Sequence, residues 1–317
     1  MARPRPASLR SATKAAEGYG KPGEPNWREI DWTEHLHQSE IDSRSVNYCD
    51  YGEGPAVLMI HGLGGSWQNW LENIRAVGQT HRVIAPDLPG FGFSEMPREK
   101  TSIQGFGRTV AALCEQLGID RVEAVIGNSM GGFVSAELAL QRPDLVERVV
   151  LVSAAGIGVH KMRREPVVVW GRTNTAIATR LAANTETGVR RPRLRHLIFS
   201  TLVRHPTRVP QDMLYELAYY SGRDGFMPAL YAHFDYDFRD RLEEIECPVL
   251  IVWGADDMVV WARDADEYEQ VIPNARKVIF EDTGHLPMVE RAPEFNALIE
   301  DFLAGRDAEV PQLESVP

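Results

Sequence analysis

Residues 127–132 read GNSMGG and place a serine between glycines directly after the apolar run VEAVI. This pattern is typical of a tight strand-to-helix turn that holds a serine nucleophile above a sheet. The glycines leave room for a strained backbone, and a helix that starts at the next residue directs its N–H groups toward the serine. A tight turn that contains serine by chance is the alternative. We favour the nucleophile, Ser129, because an apolar strand precedes it and a helix-compatible run follows it.

A serine hydroxyl becomes an effective nucleophile only when a neighbouring base accepts its proton. His285 lies in EDTGHLPMVERAPEFN, immediately after the last apolar run, where a loop at the carboxyl end of a strand would bring it beside the serine. The motif WGADD follows another apolar run and offers Asp256 and Asp257 as the carboxylate that orients the histidine. Adjacent loop residues point in different directions, so we expect only one of them to reach His285. The chain order of nucleophile, acid and base is the order expected for this kind of sheet.

The negatively charged intermediate of acyl transfer needs hydrogen-bond donors, which form an oxyanion hole. The backbone N–H of Met130, next to the nucleophile, is the first predicted donor. The loop HGLGGSWQNW follows the apolar run AVLMI and predicts the second donor at the amide of Leu63, with Gly64 as the alternative. His61 also competes as a base, but we expect it to bond to loop backbone and to shape the turn.

From about residue 40 the chain alternates β-rich runs with helical stretches, beginning with strand material at 41–52. Val, Ile and Leu runs separated by helices indicate strands that are buried on both faces, and therefore a mostly parallel sheet. The alternation stops after Gly156 and resumes at Cys247. Between them, residues 157–240 carry 13 Lys and Arg against 8 Asp and Glu. We predict that this segment is an inserted helical cap. The simpler explanation of its positive charge is a set of ordinary surface arginines.

These boundaries predict a core domain made of residues 40–156 and 241–305, with the cap at 157–240. Residues 1–27 are basic and rich in proline, alanine and glycine, and they lack the hydrophobic region of a signal peptide. They predict a flexible or surface-draped extension over residues 1–39. The tail, residues 306–317, is predicted to be disordered.

The overall composition excludes several classes of function. A net charge of −11 and a pI near 5.4 argue against nucleic acid or an anionic membrane as partner. No apolar stretch approaches the roughly 20 residues that a bilayer-spanning helix needs. Three cysteines without metal-ligand spacing predict neither a disulfide framework nor a zinc site. We expect a cytoplasmic monomer or homodimer that uses no metal or cofactor and acts on a small molecule.

Together these elements resemble the α/β-hydrolase fold superfamily, in its bacterial branch of esterase- and lipase-like serine hydrolases with a helical cap. The resemblance covers about residues 40–304, through the motifs HGLGG, DLPGFGFSE, GNSMGG, WGADD and DTGHLPMVERAPEFN. It implies an α/β fold in which helices flank a mostly parallel central sheet and the cap is inserted between the sixth and seventh strands. In this family the acid is usually the third residue after the glycine of the WG element, which favours Asp257 over Asp256.

The resemblance leaves the cleaved bond open. Ser129 argues against haloalkane dehalogenases and epoxide hydrolases, whose nucleophile is an aspartate. The elbow GNSMGG is common in carbon–carbon hydrolases of ring-fission products and also occurs in esterases. Those carbon–carbon hydrolases typically have a proline and a tryptophan at the positions where this sequence has Gly65 and Leu286. Cap arginines that could bind the carboxylate of a ring-fission product include Arg190, Arg191 and Arg193.

We therefore expect a hydrolase of carboxylic esters with small to medium hydrophobic acyl or aryl groups. Apolar residues near the motif loops or in the cap predict its pocket, with a place in the core as the alternative for each: Trp67, Phe91, Trp170, Phe226, Met227, Leu230 and Leu286. Two other functions stay open. One is a carbon–carbon hydrolase of vinylogous diketone acids, and the other is a ligand-binding, receptor-like protein with little turnover.

Overall fold

An eight-stranded sheet forms the centre of the protein in a computed structural model, which describes residues 4–9, 11–15, 17–158, 165, 185–219 and 223–306. The strands are β1 (Leu36–Ile41), β2 (Arg44–Tyr51), β3 (Ala56–Ile60), β4 (Arg82–Pro86), β5 (Val122–Asn128), β6 (Val149–Val152), β7 (Val249–Gly254) and β8 (Ala275–Phe280). Their spatial order is β1-β2-β4-β3-β5-β6-β7-β8. The pairs β1–β2 and β2–β4 are antiparallel and the other neighbours are parallel. The predicted, mostly parallel sheet is confirmed.

Strands β3, β6 and β7 are buried at every position. Successive side chains of β3 alternate between two hydrophobic layers, with Val57 and Met59 in one and Leu58 and Ile60 in the other. Since both faces of these strands are covered, each strand reads as a continuous apolar run instead of an alternating one.

Helices cover both faces of the sheet. The described helices are α1 (Leu71–Val77), α2 (Ile103–Gln116), α3 (Met130–Gln141), α4 (Thr185–Arg190), α5 (Pro192–Phe199), α6 (Gln211–Tyr219), α7 (Phe226–Asp235), α8 (Arg263–Val271), α9 (Pro287–Glu290) and α10 (Ala292–Leu303). Helices α4 to α7 lie between β6 and β7, where the cap is predicted. Within the described ranges, no helix is long and apolar enough to cross a membrane.

Parts of three predicted segments lie outside the described residues. In the N-terminal extension these are 1–3, 10 and 16, in the cap they are 159–164, 166–184 and 220–222, and in the tail they are 307–317. The domain division at these places therefore stays a prediction.

The segment 41–52, which the sequence marks as strand material, contains the turn of a hairpin. Asp42 and Ser43 both have positive φ, 50° and 56°, which is the backbone of a two-residue turn between antiparallel strands. Strand β1 ends at Ile41, its only buried residue. Because β1 lacks apolar periodicity, the sequence does not reveal it.

From Glu17 onward the N-terminal residues are packed against the core. Of the two states predicted for residues 1–39, flexible or surface-draped, the structure contradicts the flexible one for these residues. Tyr19 is only 2% exposed. The backbone N–H of Gly23 and the indole N–H of Trp27 donate to the buried carboxylate of Glu72, at 2.7 and 3.0 Å. The segment is held in place by specific hydrogen bonds to core residues that are distant in the sequence. Amino-acid composition gives no information about such bonds.

Candidate active site

Ser129 occupies the turn between β5 and α3. Its backbone has φ 55° and ψ −116°, a conformation that costs free energy for any residue other than glycine. The turn is held by two backbone hydrogen bonds of this residue, from Ser129 N–H to the oxygen of Val152 and from Ala155 N–H to Ser129 O, both 2.9 Å. The strained turn that the sequence predicts is therefore present, and the serine lies at its corner.

Two glycines make this turn sterically possible. A Cβ on Gly131 would lie 2.0 Å from the backbone oxygen of Ile60, and a Cβ on Gly127 would lie 2.1 Å from that of Gly131. Both clashes involve backbone atoms, which cannot rotate away. The two positions flanking the serine must therefore be glycine for α3 to pack this closely against β3.

The structure brings His285 and Asp257 together. The Nδ1–H of His285 donates to Asp257 Oδ2 at 2.8 Å, and both residues are buried. The other carboxylate oxygen of Asp257 accepts from the backbone N–H groups of Val259 and Val260, at 2.8 and 3.0 Å. This arrangement fixes the histidine tautomer and leaves Nε2 as the nitrogen that can accept a proton.

Asp256 points elsewhere. Its carboxylate lies 3.4 Å from the guanidinium of Arg204, and its backbone N–H donates to the oxygen of Thr283. Partial burial raises the pKa of the Asp256 carboxyl above its ordinary value. Only one of the two adjacent aspartates reaches His285, and it is the one that the motif spacing favours.

The loop after β3 approaches the serine from the other side. A Cβ on Gly62 would lie 3.2 Å from Ser129 Cβ, and the N–H of Gly65 bonds to the oxygen of Gly62 at 3.0 Å, which closes a turn with Leu63 at its corner. Met130 is the first residue of α3, so its N–H has no acceptor within the helix. Among the residues described, no hydrogen bond of the Leu63 or Met130 amide is found. An oxyanion hole at these two amides stays a prediction.

His61 has the structural role that the sequence predicts. Its Nδ1–H donates to the oxygen of Gly62 at 2.8 Å, and its Nε2 accepts the backbone N–H of Leu88 at 2.9 Å. Burial lowers the pKa of His61 to about 4, so the ring is neutral near pH 7. With both nitrogens engaged by backbone, His61 cannot act as a base without breaking the loop.

A buried carboxylate that the sequence analysis did not single out supports the same loop. Asp87 accepts hydrogen bonds from the backbone N–H groups of Trp67 and Phe93, at 2.8 and 3.0 Å, and from the amide of Asn47 at 2.8 Å. Burial raises the pKa of Asp87 to about 6. Asp87 thus links the loop after β4 to the loop that carries Leu63.

The histidine loop, residues 281–291, depends on a second buried carboxylate that the sequence analysis missed. Glu290 accepts the backbone N–H groups of Gly284 and Leu286, at 2.9 and 3.1 Å. The N–H of His285 itself donates to the backbone oxygen of Leu202 at 2.8 Å. Three consecutive amides around the histidine are therefore fixed. An acidic residue within the run PMVERAPEF is the only sequence signal for this arrangement.

Of the predicted pocket residues, Phe226 lies against the loop after β3. Its ring is 3.1 Å from the position of a Cβ on Gly64. Phe91 is wholly buried and packs against His61, with ring centroids 5.4 Å apart. Phe91 therefore occupies a core position, which is the alternative that the sequence left open for it.

Trp67 also occupies a core position, the alternative that the sequence left open for it. It is 3% exposed, and its ring centroid lies 5.5 Å from that of Trp32, in the N-terminal segment. The other predicted pocket residues are Met227, which is half-buried, Leu230 and Leu286, which are buried, and Trp170, which lies outside the described residues.

Comparison with known proteins shows the family. The family model of the alpha/beta hydrolase fold matches residues 55–292, so the chain belongs to the α/β-hydrolase fold family. It is 32% identical over 277 residues to the dihydrolipoyllysine-residue acetyltransferase component of the acetoin cleaving system of Cupriavidus necator, a match that covers 84% of this chain and 68% of that protein. It is 30% identical over 285 residues to a 2-hydroxymuconate semialdehyde hydrolase of Pseudomonas putida, which covers 83% and 92%.

Among solved structures, the enol-lactonase from Burkholderia xenovorans LB400 is similar with a TM-score of 0.69 and 24% identity, over 84% of this chain and 100% of that chain. At this identity the likeness shows the fold alone. The family and its hydrolase members identify the chain as a hydrolase. They do not distinguish which bond it cleaves.

Proposed function

We propose that this protein is a serine hydrolase that cleaves carboxylic esters of small to medium hydrophobic acyl or aryl groups. The observation that carries the proposal is the 2.8 Å hydrogen bond from His285 to the buried Asp257. The side-chain amide of Asn128, the residue before Ser129 on the strained turn, donates to the backbone oxygen of His285 at 3.3 Å. The apolar ring of Phe226, which lies against the loop after β3, supports a hydrophobic substrate.

In the proposed mechanism, Ser129 Oγ attacks the acyl carbon while His285 Nε2 accepts the hydroxyl proton. Asp257 orients the ring and stabilises its protonated form. The amides of Leu63 and Met130 bind the tetrahedral oxyanion. His285 then protonates the departing alcohol, which leaves an acyl group on the serine. Water, deprotonated by the same histidine, attacks this acyl group and releases the acid.

Release of p-nitrophenol from acetate, butyrate, octanoate and laurate esters tests the proposal. We expect turnover by the wild type and a loss of about 10⁴-fold or more in Ser129→Ala, and the preferred chain length measures the size of the acyl pocket. Activity that survives in Ser129→Ala would exclude Ser129 as the nucleophile. Tight binding of esters without turnover would favour a ligand-binding function.

Carbon–carbon hydrolysis is the second candidate, and a buried arginine of the cap supports it. Arg195 on α5 is 6% exposed, and one guanidinium N–H donates to the oxygen of Thr207 at 3.4 Å. It has no carboxylate partner among the described residues. Burying an unpaired cation is costly, so such a residue favours an anionic ligand. The three arginines predicted for this role, Arg190, Arg191 and Arg193, are all exposed. Arg190 also forms an ion pair with Glu186.

A ring-fission dienol acid separates the two candidates, because its chromophore disappears when the carbon–carbon bond is cleaved. A carbon–carbon hydrolase would bleach this substrate faster than it cleaves p-nitrophenyl esters. Arg195→Gln would then raise KM strongly, while the exposed control Arg193→Gln would leave KM unchanged. Equal KM values in the two variants would exclude a carboxylate-binding role for Arg195.

A further inference from the structure

Tyr19, in the N-terminal segment, connects two regions that meet at the catalytic histidine. Its hydroxyl donates to Glu290 Oε2 at 2.5 Å and accepts the backbone N–H of His205 at 2.8 Å. Glu290 belongs to the histidine loop, and His205 follows α5 in the region predicted as the cap. A single buried hydroxyl group therefore joins the N-terminal segment, the histidine loop and the segment after α5.

We propose that Tyr19 is a positioning residue that holds His285 in its productive orientation. This inference rests on the proposed function, in which His285 is the general base. Tyr19 touches neither substrate nor reacting atoms in this proposal, and it acts through the groups that fix the backbone around the histidine.

The first connection passes through the carboxylate of Glu290. This carboxylate accepts the amides of Gly284 and Leu286, on both sides of the histidine, as well as the hydroxyl of Tyr19. It is fully buried, so no solvent can replace a lost donor. Without the tyrosine hydroxyl the carboxylate can recover a hydrogen bond only by moving, and the two amides bound to it would move as well.

The second connection passes through the segment after α5. The carbonyl of Leu202 accepts the N–H of His285, and the N–H of Arg204 donates to Glu290 at 2.8 Å. The imidazole Nε2 of His205 lies 2.9 Å from the carboxylate of Asp282. Three of the four residues in the segment 202–205 are therefore bonded to the histidine loop. Releasing the N–H of His205 from Tyr19 therefore loosens a segment that bonds directly to the catalytic histidine.

The tyrosine is itself held firmly. The N–H of Gly20 donates to the backbone oxygen of Glu290 at 2.8 Å, and the Tyr19 ring packs edge-on against His205. Further along the segment, Arg28 donates to Asp212 of α6 at 2.7 Å. Because these contacts fix the N-terminal segment in place, Tyr19 can restrain the position of the histidine loop relative to the segment after α5.

A second tyrosine provides a matched control. The hydroxyl of Tyr236 donates to the buried carboxylate of Glu137 at 2.6 Å, so its removal also leaves a buried glutamate short of one donor. Glu137 lies on α3, two turns after Ser129, and it makes no described contact with the histidine loop. Tyr19→Phe and Tyr236→Phe therefore remove the same kind of hydrogen bond in two places.

Steady-state kinetics of the full chain tests the proposal. We expect Tyr19→Phe to lower kcat about tenfold at unchanged KM, because a misplaced base affects the chemical step more than binding. We expect Tyr236→Phe to keep the wild-type kcat, although both variants lower the unfolding temperature. An unchanged kcat in Tyr19→Phe, an equal loss in Tyr236→Phe, or a change in KM alone would overturn the proposal.

Proton NMR of the His285 Nδ1–H, assigned by its loss in His285→Gln, gives a readout that needs no substrate. We expect this resonance to shift or broaden in Tyr19→Phe and to stay unchanged in Tyr236→Phe. An unchanged resonance in Tyr19→Phe would contradict the positioning role. If the wild type hydrolyses no ester, the proposed function fails, while the resonance still decides whether Tyr19 positions His285.

Discussion

The nucleophile elbow, residues 127–132, and the histidine loop, residues 281–291, both present a side chain at the carboxyl end of a parallel strand, but different forces hold them. Around the elbow, backbone atoms pack so closely that Gly127 and Gly131 have no room for a Cβ. The histidine loop is held by buried side chains and by carbonyl groups from distant segments, notably Glu290 and Leu202. Steric exclusion tolerates no substitution at these glycines, whereas a hydrogen-bond network can lose one member and weaken gradually.

The strongest test on the histidine side compares the two adjacent aspartates. We expect Asp257→Asn to lower kcat about 10⁴-fold, because an amide favours the wrong histidine tautomer. Asp256→Asn should keep kcat near the wild-type value, since Asp256 contacts Arg204 and not His285. Steady-state kinetics on a p-nitrophenyl ester measures both. Comparable losses in the two variants would contradict the single contact between Asp257 and His285.

On the elbow side, a single methyl group tests the role of steric exclusion. Gly131→Ala places a Cβ 2.0 Å from a backbone oxygen, and we expect it to lower the free energy of unfolding by about 3 kcal/mol or more. Gly107→Ala is the control, because the atoms nearest to its Cβ would belong to the flexible side chain of Gln141, 3.2 Å away, and alanine is favoured inside a helix. Urea unfolding compares the two. A Gly131→Ala variant as stable as the control would show that the elbow can relax.

Glu290→Gln removes one member of the network without changing its shape. The amide side chain cannot accept all the N–H groups that the carboxylate accepts, so we expect a loss of about 2 kcal/mol in unfolding free energy and a lower kcat. Glu137→Gln replaces another buried glutamate and should lose stability while keeping kcat. Urea unfolding and esterase kinetics separate the two effects. A wild-type kcat in Glu290→Gln would show that the histidine loop does not need this carboxylate.

The smallest expected effect is a pH dependence from Asp87, which supports the loop opposite the histidine. Burial raises the pKa of Asp87 to about 6, above the value of about 3.9 in an unfolded chain. The folded protein therefore binds this proton more tightly than the unfolded chain. The Asp87 contribution to the free energy of unfolding increases by about 1 kcal/mol as the pH falls from 7.5 to 5. Relative to wild type, Asp87→Asn should lack this increase in urea unfolding at the two pH values; identical pH dependences would contradict it.

Much of the site follows from short stretches of sequence. The glycines around Ser129 report the steric limits of a turn, and the apolar runs report strands buried on both faces. The positions of His285 and of the loop carrying Leu63, each after such a run, follow because parallel strands end at the same edge of a sheet. All of these signals are local, since each one lies in the types and spacing of residues within a single short stretch of sequence.

The tertiary structure alone decided the features that join distant residues. It directs Asp257 to His285 and Asp256 to Arg204, and it places Tyr19 beside Glu290 across 271 residues of sequence. A composition rich in proline and glycine left the N-terminal segment either flexible or draped over the surface, and buried hydrogen bonds hold it against the core from Glu17 onward. Each of these contacts joins two residues that only the fold brings together. The sequence around either residue does not indicate which distant residue it will contact.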